Sequence, residues 1–344
     1  MKAMVLAGGL STRLYPLTKT VPKPLVPVAG EPNTAHVLRY LHSFGIDEIA
    51  MNVHYFAGAI EQAFGDGSRF GVRLHYLNEP ALLGSAGAVK QMEGFFDDTF
   101  VVIGCDDLTD ARLDHVVAFH RQRGAIATIG LIEAGDVTEY GVVILDERGK
   151  IVDFQEKPAK GTERSHLVNT GIYVFEPALL QRIPSGEFFD FGKNVFPALQ
   201  QQGAPFYGMA LPDAYWCDIG TPAEYRRATN DLLTGRLRLR GAPKAEGVSP
   251  LAIMRDGVHI EGPIHIGRGT DIGSGVRILG PSVLGNGVLV GDGAVVERSI
   301  IWDACVIGAG AVLRDSIVGA SYDVAPGASV IDRVVANESQ PAGN

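Results

Sequence analysis

A chain of 344 residues, 46% of them hydrophobic, is long enough for two domains with separate cores. Its formal net charge of −9 argues against general binding to nucleic acid or to an acidic membrane, so any phosphate site must be a local basic pocket in an acidic protein. Three cysteines without zinc or CxxC spacing, an N-terminal apolar run too short for a signal peptide and no long apolar stretch elsewhere predict a soluble, cytoplasmic protein without disulfides.

The first strand candidate, 2–7, runs directly into Leu6-Ala-Gly8-Gly9-Leu-Ser11-Thr12-Arg13-Leu14, and Pro22-Lys23-Pro24 follows. Glycines let backbone approach a ligand closely, and successive N–H groups in such a turn form an anion-binding concavity. Arg13 and Lys23 add the fixed positive charge that a polyphosphate needs, and the whole reads as a nucleotide site. Further strands are predicted at 48–53, 72–77, 99–104, 125–132, 141–145 and 170–175. Amphipathic helical stretches lie at 34–44, 56–64, 86–93 and 111–123. This alternation predicts an α/β domain with a Rossmann-like, mostly parallel sheet covered by helices, its ligands at the carboxyl ends of the strands.

Two acids stand where such chemistry would use them. Phe100-Val-Val-Ile103 ends in Gly104-Cys105-Asp106-Asp107, and Trp216-Cys217-Asp218 precedes the helix start Thr221-Pro222. Magnesium takes one or two carboxylates together with substrate phosphate oxygens, so a pair of such acids suffices. Taken singly, each is also what a helix cap or a solvated turn requires. Cys105 and Cys217 flank these acids, but neighbouring strand residues point to opposite faces, which assigns the thiols to packing.

Composition changes after Leu233. Residues 235–250 hold Gly, Pro and the run Arg236-Leu-Arg-Leu-Arg240, read as a linker with ordinary surface charge. From Ile260 a period of six appears: Ile260, Ile266, Ile272, Ile278, Leu284, Val290, Val296, Ile301, Ile307, Leu313, Val318, Val324 and Val330, with five-residue steps at 296→301 and 313→318. No helix of period 3.6 keeps these on one face. Three hexads close one triangular coil, so about four stacked coils of a left-handed parallel β-helix are expected. The predicted organisation is a catalytic domain 1–234, a linker 235–250, a β-helix 251–335 and a flexible tail 336–344.

The opening loop with Pro16-Leu17-Thr18 and Pro22-Lys23-Pro24, then Leu83-Gly84-Ser85-Ala-Gly87, Asp106, Tyr140-Gly141-Val142, Glu156-Lys157-Pro158, Val168-Asn169-Thr-Gly171 and Trp216-Cys-Asp218-Ile-Gly220, resembles in this order the sugar-1-phosphate nucleotidyltransferases. The hexapeptide helix occurs in many members, so the resemblance covers nearly the whole chain. It implies that an NTP and a sugar 1-phosphate give an NDP-sugar and pyrophosphate with Mg2+, without a covalent enzyme intermediate. By this resemblance Leu6, Gly8, Gly9, Ser11 and Thr12 wrap the triphosphate, and Glu79, Gly84 and Ser85 receive the base side of the nucleotide. Arg13 and Lys23 neutralise charge around the reacting phosphates, and Asp106 and Asp218 hold the metal, these four forming the catalytic set. Glu156 and Asn169 bind sugar hydroxyls, Lys157 grips the sugar phosphate, and Gly141 and Gly171 admit the sugar to the backbone.

Departures from the family pattern are Ser11 in place of a third glycine and Gly104-Cys105 where Asn-Gly is common. Asp107 leaves the metal position open by one residue, with Leu108-Thr109-Asp110 favouring Asp106. The Glu79-Pro-x-x-Leu-Gly-Ser-Ala-Gly pattern and the overall layout look most like mannose-1-phosphate guanylyltransferase, which implies GTP and mannose 1-phosphate. Glucose-1-phosphate enzymes using UTP, dTTP or ATP are the alternative. A catalytically silent regulatory subunit is a second, opposed by the retention of Arg13, Lys23, Asp106 and Asp218. An acyl-transferring helix is a third, opposed by His259 and His265 lying at the start of the repeats rather than in a loop emerging from their middle. The unpaired backbone edges of a β-helix predict a homo-oligomer. No nucleic-acid or membrane partner is expected.

Overall fold

The computed structural model describes residues 1–338 and separates into two compact units. The first comprises Met1–Gly9 and Val37–Trp216; the second comprises Leu10–His36 and the chain from Cys217 onward. The expected catalytic segment 1–234 therefore contributes to both, and the division falls inside the glycine loop.

The first unit is built on a nine-stranded sheet. Strand β1 (Lys2–Leu6) lies between β2 (Glu48–Val53) and β4 (Phe100–Gly104), parallel to both, and β3 (Arg73–Asn78) extends the parallel order beyond β2. The aliphatic centres of β1, β2 and β4 are fully buried, as a strand covered on both faces requires. Helices α1 (Asn33–His42), α2 (Ala57–Phe64) and α3 (Gly84–Gln91) fall between successive strands, which puts Leu6, Val53, Asn78 and Gly104 at the loop-bearing ends; α4 (Leu113–Arg123) and α5 (Phe196–Gln201) follow later in the chain.

The order changes past β4. Strand β8 (Leu167–Phe175) runs antiparallel to β4, to β5 (Ala127–Glu133) and to β6 (Gly141–Leu145); β7 (Ile151–Glu156) pairs antiparallel with β6, and β9 (Phe206–Ala210) parallel with β5. The turn between β6 and β7 is too short for a parallel crossover, so these two strands must run antiparallel. Strands β7 and β9 were not anticipated. Polar residues interrupt the first, and Gly208 interrupts the second because a Cβ there would come 2.5 Å from the Leu131 side chain. Phe100, Tyr173, Phe175, Phe191, Phe196 and Phe206 form the aromatic centre of the core, with Tyr173 against Phe175, Phe191 and Phe196, Phe100 against Phe175 and Phe206 against Phe196. The pairing of β8 shifts between Asn169 and Tyr173, with Gly171 at φ +78°, and this bulge falls on predicted site residues.

In the second unit, three parallel ladders of six, five and five short strands form the triangular coil of a left-handed β-helix. The repeat aliphatics from Ile266 to Val330 are buried in one interior cluster. The stack holds about five coils rather than four. Gly247–Val248 and Ile253–Met254 pair with the strands at 264–266 and 271–272, ahead of Ile260, and Val334–Val335 closes the other end. Val248 and Met254 continue the six-residue period backwards from Ile260, so the signal was present. The first strand thus lies within the 235–250 stretch expected as a linker.

One coil takes 18 residues at Ile266↔Leu284 and 17 at Leu284↔Ile301 and Ile301↔Val318. The shortened corners are held by a buried serine ladder: Ser299 N–H donates to Ser282 Oγ at 3.2 Å and Ser316 N–H to Ser299 Oγ at 3.1 Å. Helix α6 (Pro222–Leu233), capped by Thr221, also belongs to this unit. Of the expected tail, 339–344 lie outside the described residues. No helix among the described residues is long and apolar enough to cross a membrane.

Candidate active site

In the first unit a pocket of about 280 Å³ opens at the end of β1, lined by Leu6, Gly8, Gly9, Asn52, Glu79, Leu82, Gly84, Ser85 and Phe188. Most of the predicted nucleotide residues are therefore brought together. Glu79 is only 4% exposed. Its Oε2 accepts from Asn52 Nδ2 at 2.5 Å and its Oε1 from the Leu83 N–H at 3.1 Å. Asn52 Oδ1 in turn accepts from the Ala7 N–H at 2.9 Å, which ties the pocket to the start of the glycine loop. Gly8 has to be glycine: a Cβ there would stand 2.7 Å from Asn52 Nδ2 and 2.8 Å from Glu79 Oε2. Asn52 was missed, although a polar residue near the end of the apolar run Ile49-Ala-Met51 was the available sign. The Ser85 hydroxyl donates to Asp190 Oδ2 at 2.8 Å and accepts from the Phe191 N–H at 2.9 Å, so it fastens the N-terminus of α3 to the 188–195 segment.

The two consecutive aspartates divide their work. Asp107 is buried; its Oδ2 accepts from the Gly104 N–H at 2.9 Å and its Oδ1 from Trp216 Nε1 at 3.1 Å. Asp106 is only partly buried, and Gly104 leaves room for both carboxylates, since a Cβ there would come within 2.7 Å of each. That arrangement makes Asp107 the fixed anchor of the turn and leaves Asp106 the more exposed of the two carboxylates. Gly171 abuts the same anchor, with a virtual Cβ 2.8 Å from Asp107 Oδ2.

The sugar-side candidates lie on β6, β7 and β8. Gly141 pairs with Glu156 across the β6–β7 ladder, and Lys157 follows in a left-handed conformation at φ +46° with its ammonium 3.5 Å from Glu139. Asn169 Oδ1 accepts from the Gly171 N–H at 2.9 Å and its Nδ2 donates to the Tyr173 hydroxyl at 3.1 Å. One amide hydrogen and further lone pairs remain for a ligand.

The second unit carries the charges. Lys23 Nζ is 3.2 Å from Asp218 Oδ1 and Arg13 Nη2 is 3.6 Å from Asp218 Oδ2; side-chain exposures are 11% for Lys23, 21% for Asp218 and 53% for Arg13. Gly220 keeps this cluster open, because a Cβ there would lie 2.9 Å from Arg13 Nη2. Ser11 adopts φ +55° and ψ +39°, the conformation a glycine takes freely, and its carbonyl accepts from Thr18 Oγ1 at 2.7 Å. The turn is thus made without the third glycine, at a cost of about 1–2 kcal/mol. Thr12 opens the short 3-10 turn Thr12–Leu14. Burial pushes the Cys217 thiol up to about 12 and that of Cys305 up to about 11, so both stay protonated at neutral pH as packing groups.

A glycine turn beside a pocket floored by a buried acid, in a chain that also clusters Lys, Arg and Asp, is the equipment of an enzyme acting on nucleoside phosphates. Comparison with known proteins narrows the class. A nucleotidyl transferase family model matches residues 2–235, and a GlmU-like C-terminal hexapeptide model matches residues 253–336. The chain belongs to the nucleotidyl transferase family and is a sugar-1-phosphate nucleotidyltransferase with a hexapeptide-repeat β-helix.

Among its relatives, a UTP–glucose-1-phosphate uridylyltransferase of Synechocystis sp. is 41% identical over 324 residues, covering 88% of this chain and 83% of the relative. A mannose-1-phosphate guanylyltransferase of Mycobacterium tuberculosis is 37% identical over 278 residues, covering 79% and 77%. A crystal structure of a Bacillus anthracis protein assigned as a glucose-1-phosphate thymidylyltransferase aligns with a TM-score of 0.60 at 27% identity, over 67% of this chain and 94% of that one.

Proposed function

We propose that the enzyme joins GTP and mannose 1-phosphate to give GDP-mannose and pyrophosphate. The observation that carries this reading is the buried Glu79 carboxylate in the pocket beside the glycine loop. Guanine offers two adjacent donors, N1–H and N2–H, which a carboxylate accepts together. Uracil offers one N–H flanked by two carbonyl oxygens that repel the acid. Each Glu79 oxygen still has a lone pair beyond those used by Asn52 and Leu83. The Mycobacterium tuberculosis relative supports the same pair of substrates. The 41% identity to a uridylyltransferase favours a second reading, UTP with glucose 1-phosphate.

In the proposed reaction a phosphate oxygen of the sugar phosphate attacks the α-phosphorus in line, the bond to the bridging oxygen breaks, and pyrophosphate leaves. The protein supplies placement and charge. Leu6, Gly8, Gly9, Ser11 and Thr12 hold the triphosphate through backbone N–H and hydroxyl groups, and Gly84 and Ser85 shape the base end. Arg13 neutralises the leaving pyrophosphate, and Lys23 the reacting phosphate. Glu156, Asn169, Lys157, Gly141 and Gly171 position the sugar phosphate.

Asp106 and Asp218 are the residues we assign to magnesium. Both are hard oxygen donors, and among the described residues no group of three or more His, Cys, Asp or Glu stands ready for a metal, which suits an ion completed by phosphate oxygens and water. When bound, magnesium would neutralise phosphate charge and hold the leaving group.

We place the reaction in the cytoplasm, where the three buried cysteines stay reduced. We also propose self-association through the first coil, where Leu251 and Ile253 are more than half exposed. Loss of that association in Leu251→Asp would support it, measured by light scattering.

The deciding assay is pyrophosphate release with magnesium, crossing GTP, UTP, dTTP and ATP against mannose 1-phosphate and glucose 1-phosphate. Turnover confined to GTP with mannose 1-phosphate is the expected result. Turnover confined to UTP with glucose 1-phosphate would install the second reading, and silence with folded protein would favour a regulatory subunit.

A further inference from the structure

Within the second unit, the segment that carries Lys23 is tied to the β-helix at three places. Tyr225 of α6 is fully buried and donates its hydroxyl hydrogen to the Pro27 carbonyl at 2.5 Å, while Trp302 Nε1 donates to that same hydroxyl at 2.9 Å. The hairpin tip at Gly30 presses on His265, leaving no space for a Cβ, and His265 Nδ1 donates to the Ala245 carbonyl at 2.8 Å. Leu17 reaches Gly319, where a Cβ would stand 3.5 Å from its Cδ2. Helix α6 is held from the same side, with Arg226 donating to the Asp315 carbonyl and lying 3.5 Å from Asp332.

The Trp302–Tyr225–Pro27 chain has one possible polarity. An indole N–H only donates and a carbonyl only accepts, so the hydroxyl between them is locked in a single orientation. Such a chain transmits position rather than merely filling space. Pro22, Pro24 and Pro27 each fix their own φ, and the Leu25 N–H and Val26 N–H bond back to the Pro22 and Lys23 carbonyls at 2.8 and 3.1 Å. A shift at Pro27 is therefore carried back to Lys23 instead of being absorbed. Asp218, the ion partner of Lys23, stands four residues before Pro222, at the head of the same helix.

We infer that the β-helix acts in the transfer step through Trp302 and Tyr225, as positioning residues that set Lys23 against Asp218. The inference rests on the reading of Lys23 as a reacting-phosphate contact. Both side chains are buried, with no surface to offer a substrate.

The test uses the full-length enzyme. Trp302→Phe keeps an aromatic side chain and removes the donor; Tyr225→Phe removes both bonds. Each is expected to lower kcat about tenfold while KM for both substrates stays within about twofold, the signature of a misplaced charge. In a Lys23→Ala background Trp302→Phe should cost no further activity, because the group it positions is gone. An equal loss on both backgrounds would show that Trp302 acts through general stability and would overturn the inference, as would unchanged kcat in either single variant. Lys23→Ala with undiminished kcat would instead remove Lys23 from the mechanism, and the inference with it.

Discussion

Glu79 and Asp107 in the first unit are buried acids whose oxygens take neutral donors: an asparagine amide, an indole and backbone N–H groups. Asp218 in the second unit is partly exposed and faces two cations, Lys23 and Arg13. Buried carboxylates satisfied by fixed N–H groups define a shape, and they cannot exchange partners without losing hydrogen bonds. A carboxylate facing two cations can share them with an arriving polyphosphate, and its pair with the more exposed Arg13 contributes little by itself. Acids of the first kind suit recognition and those of the second suit charge transfer. Substitutions at or against Glu79 and Asp107 should therefore alter KM and substrate choice, and those at Asp218 and its two cations should alter kcat.

The largest effect tests the second half of that contrast. Asp218→Ala should lower kcat by about 10²–10³, the scale for removing one group that stabilises the transition state. Undiminished turnover would remove Asp218 from the mechanism and erase the contrast. Next comes Gly171→Ala, which places a Cβ 2.8 Å from Asp107 Oδ2 at φ +78°. Steady-state kinetics should show a rise of about tenfold or more in KM for the sugar phosphate, reflecting roughly 1–3 kcal/mol of strain at this bulge. A pure kcat effect would move the bulge from recognition to chemistry.

Glu79→Gln follows. It keeps the acceptor for one base donor and adds an N–H that suits a carbonyl, so the GTP-to-UTP ratio of kcat/KM should fall by about tenfold, one hydrogen bond to a charged group. An unchanged ratio would mean that Glu79 only braces Asn52, and the base assignment would go to the UTP reading.

Most of this organisation was legible because it is periodic or local. The six-residue repeat needs no tertiary information, and even its two missed strands at Val248 and Met254 obey it. The parallel strands β1, β2 and β4 are continuous apolar runs and read cleanly. What stayed hidden depends on distant partners. Asn52 acquires its role only when β2 lies beside β1, and β9 is a strand only because Gly208 fits under Leu131. The division of labour between Asp106 and Asp107 likewise required Trp216, more than a hundred residues away, to show which acid is the anchor. The grouping of Leu10–His36 with the β-helix is a property of packing that no linear segment reports.

The smallest effect separates two kinds of glycine position in the opening loop. Gly8 lacks room for a side chain, whereas Ser11 lacks only the preferred backbone, sitting at φ +55° with its carbonyl held by Thr18. If conformation is all that distinguishes Ser11 from the family's glycine, Ser11→Gly relieves strain worth about 1–2 kcal/mol in the folded state. Glycine's greater freedom in the unfolded chain returns about 0.5–1 kcal/mol of that. The expected net change is a gain of at most about 1.5 kcal/mol in chemical denaturation, with kcat/KM for the nucleotide within about twofold of the parent. A tenfold loss of kcat/KM at unchanged stability would show instead that the Ser11 hydroxyl binds phosphate. The loop would then have exchanged a free turn for an extra donor, and Ser11 would join the charged half of the site on chemical rather than geometric grounds.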